Sequence, residues 1–245
     1  VTTIDFNPVL NQHMESGADI TLIYSKGYYD SEKNSCATIL EFDENNHLKD
    51  VLVDPQISGE CNMWLEMFII SRDFLKKIVF EAASRNQSSF TREILQGRKD
   101  EYKIMGYEHK GIFTRIDSVQ SYYNANQMLL ETEKRNALFV KNMPIYTKIG
   151  DNGPVKYGLD SSIKNSLIAD GCVIEGTVEN SILFRGVKVG KGTVVKNCVL
   201  LQGTKVGSNC SISYVITDKN VEVSNDKVLT GSETYPLYIG KEGKI

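Results

Sequence analysis

No run in this 245-residue chain approaches the roughly 20 apolar residues that span a bilayer, and no secretory signal pattern opens it. That excludes a helical membrane anchor within the sequence. No excess of either charge is present: 28 Lys and Arg stand against 31 Asp and Glu. The balance gives no electrostatic reason to expect a nucleic acid or an anionic membrane as partner. None of the five cysteines forms a Cys-x-x-Cys pair, and their number is odd. Zinc ribbons and a disulfide framework are thereby excluded, and the cysteines read as reduced packing residues of a cytoplasmic protein. Histidine is scarce, and His13, His47 and His109 all precede residue 160. Initiator methionine is missing too, and Val1-Thr-Thr-Ile-Asp5 reads like the tail of a strand, so upstream sequence is expected.

What is present is repetition. Asn165-Ser-Leu-Ile-Ala-Asp-Gly-Cys-Val-Ile174 is echoed by segments starting at Asn180, Asn197 and Ser213, spaced 15, 17 and 16 residues apart. Within the period runs a six-residue beat: Ile168-Ala-Asp-Gly-Cys-Val-Ile174, Val189-Gly-Lys-Gly-Thr-Val-Val195, Val206-Gly-Ser-Asn-Cys-Ser-Ile212. Aliphatic residues suit a buried pleated face, and Gly or Asn supplies the positive φ of a sharp corner. The pattern predicts a left-handed parallel β-helix of hexapeptide repeats over 161–245, with coils stacked on their neighbours.

The first half reads differently. Asp5 is placed to cap a helix bearing Phe6, Val9, Leu10 and Met14, with Gly17 ending it. Ile20–Tyr24 is a buried strand, and residues 37–42 and 47–53 form a hairpin around Asp43-Glu-Asn-Asn46. Helical spacing marks 73–85, strands are expected at 67–70, 102–107 and 111–116, and one long helix at about 118–139. The expected organisation is a partial nucleotidyltransferase-like α/β domain (1–139), a linker (140–160) and the solenoid (161–245).

An α/β domain joined by a helix to a hexapeptide solenoid resembles the sugar-nucleotide pyrophosphorylases, and ADP-glucose pyrophosphorylase (glucose-1-phosphate adenylyltransferase) most of all. His13-Met-Glu-Ser-Gly-Ala-Asp19 is similar to that family's His-x-x-x-Gly-Ala-Asp segment, and Asp43-Glu-Asn-Asn46 to its Asp-Glu-Asn-Gly turn. Residues 111–126 align without gaps to Gly-Tyr-Trp-x-Asp-Val-Gly-Thr-x-x-Ser-x-x-x-Ala-Asn, and Ile216-Thr-Asp-Lys-Asn-Val221 resembles a solenoid coil of the same enzymes.

The departures are as informative as the matches. Where active members carry the metal-binding Asp, this chain has Arg115; where their Lys holds the sugar phosphate, it has Asp54. Trp64 and Glu66 replace the Ser and Gly of the Ser-Met-Gly-Ile-Tyr strand, and Ser89 stands in a degraded Asp-Phe-Gly tract. The Gly-rich nucleotide loop is absent from these residues. Nucleotidyl transfer needs carboxylates around Mg²⁺ and cations around phosphate, so the resemblance implies a non-catalytic, regulatory D-type subunit. It implies no cofactor in this chain, with Mg²⁺ expected in the catalytic partner, and assembly with that subunit as a hetero- or homo-oligomer (tetramer). Lys219 and Lys241 are the candidate contacts of an anionic small-molecule effector. Three alternatives stand beside this reading: an active transferase with an atypical pocket, a non-enzymatic scaffold such as the subunits of a translation-initiation exchange factor, and a solenoid acyltransferase. The last lacks a histidine near any coil to serve as base.

Overall fold

The structure is a computed structural model describing residues 1–32 and 37–245, so Cys36 lies outside the described residues. The chain divides into two compact units, Thr2–Phe113 and Thr114–Ile245 with Val1.

In the first unit, α1 spans Phe6–Ser16. Asp5 caps it by accepting from the Asn7 amide at 2.9 Å, and Gly17, at φ 61°, closes it in the left-handed conformation. Of its apolar residues only Val9 is fully buried; Phe6, Leu10 and Met14 remain exposed. A five-stranded sheet follows, with β1 (Ile20–Asp30), β2 (Thr38–Phe42), β3 (Leu48–Val53), β4 (Ser58–Ile70) and β5 (Ile104–Glu108) in the order β3-β2-β4-β1-β5. Strands β1 and β5 run parallel, and the other pairs are antiparallel.

The hairpin of β2 and β3 is the expected one, its turn fixed by Asp43 Oδ1, which accepts from the amides of Asn45 and His47 at 2.9 and 2.8 Å. Both β1 and β4 extend well past the expected 20–24 and 67–70, because their main-chain pairing continues across the bulge, from Tyr24 opposite Trp64 to Asp30 opposite Ser58. Helix α2 (Arg72–Ser84) is capped by Ser71, and a π-helical turn occupies Phe90–Gln96. The strand expected at 111–116 does not form. Instead the segment makes a single antiparallel bridge, Phe113 with Thr2, where Thr2 Oγ1 also donates to the Ile112 carbonyl at 2.7 Å and meets His109 Nε2 at 2.8 Å.

In the second unit the expected long helix is broken into α3 (Val119–Gln127), a 3₁₀ turn (Met128–Leu130) and α4 (Thr132–Leu138). Glu131 is extended at the break, and the Arg135 guanidinium takes up the freed Leu129 carbonyl at 2.9 Å. These helices pack on the solenoid rather than closing the α/β unit: Tyr123 buries with Val199 and Ile216 and donates its hydroxyl hydrogen to the Asn197 carbonyl at 3.0 Å. The division expected at residue 139 therefore falls at 113/114. Three five-stranded parallel sheets form the solenoid. Its first strand, Lys156–Tyr157, lies inside the segment expected as linker and pairs with Val173–Ile174.

Each coil turns on left-handed residues that recur in register. Gly171, Gly186, Gly203 and Asn220 line one corner at φ 72, 70, 75 and 57°. Asn165, Asn180, Asn197 and Tyr214 occupy another at 42, 47, 51 and 53°. Between corners Ile174, Val189, Val206 and Val223 point inward from one sheet, and Val178, Val195 and Ile212 from the next. Cys172, Cys198 and Cys210 are free thiols buried in the same core, and burial pushes Cys198 up to about 12. No described helix is long and apolar enough to cross a membrane.

Candidate functional site

The alternation of β4 decides the site. Its register against β1 jumps at Ile23/Tyr24, with Ile23 opposite Met67 and Tyr24 opposite Trp64. Leu65 and Glu66 are thus extra residues in a bulge, which re-aims the side chains beside it. Glu66 takes up the bend at φ 59°, a conformation natural to Gly and strained for a residue with a Cβ. The shape that a glycine would supply is kept while a carboxylate stands in its place.

The bulge turns Trp64 into the unit's core, where it is 6% exposed among Leu22, Leu40, Ile94 and other apolar residues. Its indole Nε1 donates to the Met67 carbonyl at 3.2 Å, which satisfies the ring's polar atom inside the apolar interior. Phe68 lies 6.4 Å from the indole and stacks on Phe90 at 4.8 Å and 14°. An indole and two phenyl rings therefore form one packed run across this part of the sheet.

Ser89 acts as a cap. Its Oγ accepts from the Arg92 amide at 3.2 Å, and its own amide donates to Glu93 Oε2 at 2.8 Å. It also lines a cavity of about 250 Å³ with Ile78, Ala82 and Phe90. Asp54 is exposed just past β3, at φ 50°, its amide donating to the Ala37 carbonyl at 2.9 Å. Trp64 and the neighbourhood of Ser89 are joined through Phe68 and Phe90; Glu66 and Asp54 are exposed and stand outside that run. Arg115 belongs to the second unit, where its Nε lies 3.6 Å from Asp117 Oδ2. A guanidinium so placed does not fit a divalent cation, and among the described residues no three His, Cys, Asp or Glu side chains gather as a metal site.

A second feature of the first unit, not legible in the sequence, is a cavity of about 530 Å³ at the carboxyl end of β5, where its parallel register with β1 closes at Tyr24 and Glu108. Tyr24, Tyr107, Glu108 and Lys110 line it. Ligands of open α/β sheets bind at this end of the strands. Asn46 and Gln12 both donate side-chain amide hydrogens to the Gly106 carbonyl within it. Glu108 pairs with Lys26 at 2.8 Å, which holds its carboxyl below the usual range, and burial pushes the Tyr24 phenol up.

On the solenoid, Lys219 and Lys241 fall in adjoining turns, because the Glu242 amide donates to the Lys219 carbonyl at 2.9 Å. Lys241 Nζ is 3.7 Å from Glu242 Oε1, and the Lys219 amide donates to Asp218 Oδ1 at 2.6 Å. Carboxylates accompany both lysines.

Comparison with known proteins agrees with this architecture. A family model described as GlmU-like, C-terminal hexapeptide matches residues 155–234. Over 98% of its length the chain is 35% identical to the glycogen biosynthesis protein GlgD of Bacillus subtilis (strain 168) and covers 60% of that protein. GlgD of Geobacillus stearothermophilus is 34% identical over 80% of the chain, and 46% of that relative is covered. The glucose-1-phosphate adenylyltransferase of Mycoplasma mobile is 30% identical over 79% of the chain, with 51% of the relative covered. The chain thus spans between 46% and 60% of the length of these relatives. The resemblance read from its motifs extends over nearly all of it.

Proposed function

We propose that this chain, a relative of the GlgD proteins and of glucose-1-phosphate adenylyltransferases, is a regulatory, non-catalytic subunit of an adenylyltransferase assembly in cytoplasmic glycogen biosynthesis. The reaction served is ATP plus glucose 1-phosphate giving ADP-glucose and diphosphate, carried out by a catalytic partner that supplies the carboxylates for Mg²⁺.

One observation carries the reading. The strand position where the family's small residue leaves room for the sugar is occupied by the Trp64 indole, buried and hydrogen-bonded to Met67. A pocket filled by a core side chain cannot be emptied without the cost of a cavity. Arg115 and Asp54 support it from separate positions, each with charge opposite to what the chemistry uses. The stacked solenoid supports the assembly half of the reading, since its sheets end in edge strands such as Val228–Thr230 and Leu237–Ile239.

The test is to assay ADP-glucose formation by the purified protein, then by a catalytic subunit with and without it. The expected result is no turnover alone and a changed effector response in the mixture. Sustained turnover by the isolated protein would instead identify an active transferase.

A further inference from the structure

The second unit holds a cleft of about 310 Å³ between the α3–α4 helices and one solenoid corner, at the lower end of the roughly 300–1,000 Å³ typical of small-molecule sites. Tyr123 and Asn197 form part of its wall, tied by the hydrogen bond from the Tyr123 hydroxyl to the Asn197 carbonyl at 3.0 Å. Beside them stands Tyr214.

Tyr214 is out of pattern. The corner it shares with Asn165, Asn180 and Asn197 is left-handed in every coil, and asparagine tolerates that conformation far better than an aromatic residue does. At φ 53° the chain accepts backbone strain that an asparagine would relieve, and the ring it gains lines the cleft, 6.4 Å from that of Tyr123. Strain retained at one position of a regular repeat points to a role for the side chain.

A second, independent observation comes from α3. Gln127 lines the cleft, and its Nε2 is buried with no hydrogen-bond partner, a costly state for an amide donor. The other polar side chains of the wall include the Asn124 and Asn197 amides, which both donate and accept, and the carboxylates of Glu131 and Glu233. Lys134, the cation of the cleft, is already paired with Glu131 at 2.8 Å. Two carboxylates against one neutralised ammonium repel a phosphate. Hydroxyl groups, which donate and accept at once, match this wall, and the apolar face of a ring matches an aromatic side chain.

We propose that this cleft binds an uncharged sugar ring, with Tyr214 as its platform and Gln127, whose amide Nε2 lacks a partner, in its wall. The site lies wholly within the second unit, so it stands whether or not the first unit is catalytic.

Calorimetric titration of the purified protein with glucose, maltotriose and glycogen tests it. At least one of these is expected to bind saturably, at about 1 mM or tighter. Tyr214→Asn, which restores the asparagine corner, and Gln127→Leu are each expected to weaken binding about tenfold or more, while the unfolding midpoint of Tyr214→Asn stays equal or rises. A response to glucose assigns a free sugar, and one confined to maltotriose or glycogen assigns a chain end; both uphold the site. Absence of binding by all three, affinities in both variants equal to the parent's, or tighter binding of inorganic phosphate lost in the same variants would overturn it.

Discussion

The indole Nε1 of Trp64 donates to the carbonyl oxygen of Met67, 3.2 Å away and three residues along the same strand. The contact exists because the β4 bulge folds the chain back over two extra residues. It anchors the aromatic run that occupies the interior of the first unit. Replacing the ring by a small residue removes both the bond and the volume. Trp64→Ser is expected to cost about 3–5 kcal/mol and to confer no turnover, since Asp54 and Arg115 remain. Chemical denaturation, with the activity assay alongside, checks both halves.

Glu66 sits in the same bulge at φ 59°. Relief of that strain should outweigh the added freedom of the unfolded chain, so Glu66→Gly is expected to stabilise the protein by up to about 1 kcal/mol. A lower denaturation midpoint for the variant would show that a contact of the Glu66 side chain outweighs the strain.

These two residues also mark what the sequence could and could not disclose. Trp64 and Glu66 were visible as departures from a motif, yet that the indole turns inward depends on a bulge set by pairing with β1, which no local pattern encodes. The solenoid was legible because its constraint is local and repeated: an inward aliphatic residue and a left-handed corner in each coil, as at Val189 and Gly186. The break near Glu131 was not, because the apolar residues Met128, Leu129 and Leu138 run on across it while the Arg135 side chain, six residues on, satisfies the Leu129 carbonyl. The partners of Tyr122 and Tyr123, Val199 and Ile216, lie far along the chain, where no local helical pattern points to them.

Gly190 illustrates the close approach of coils. Its φ is ordinary, but a Cβ there would lie 2.6 Å from the Gly207 carbonyl oxygen in the next coil. Backbone of a stacked coil cannot move aside cheaply, so Gly190→Ala is expected to destabilise the solenoid by about 1–3 kcal/mol. Thermal unfolding followed by circular dichroism reads the change.

His109 and His13 make the first unit acid-sensitive. Burial lowers both below their ordinary value of 6.5; for His109 the hydrogen bond with the Ile112 main chain opposes the shift, and for His13 the nearby Asp19 does so. The folded state therefore holds fewer protons than the unfolded one in the interval below 6.5. The stability from the neutral rings is complete above that value and is lost as the pH falls through it toward the lowered folded values. Denaturation midpoints measured from about pH 8 to about pH 5 should fall on the acid side, and less steeply in His109→Gln.

Trp64 is the only tryptophan of the chain, so its fluorescence reports the filled pocket without labelling. The most direct measurement is a titration of the protein with glucose 1-phosphate in the presence of ATP and Mg²⁺, following Trp64 emission. A buried indole that is part of the core should emit in the blue and stay unchanged to saturating ligand. A saturable shift of that emission with concurrent appearance of ADP-glucose would contradict the account, because it would place substrate where the ring stands.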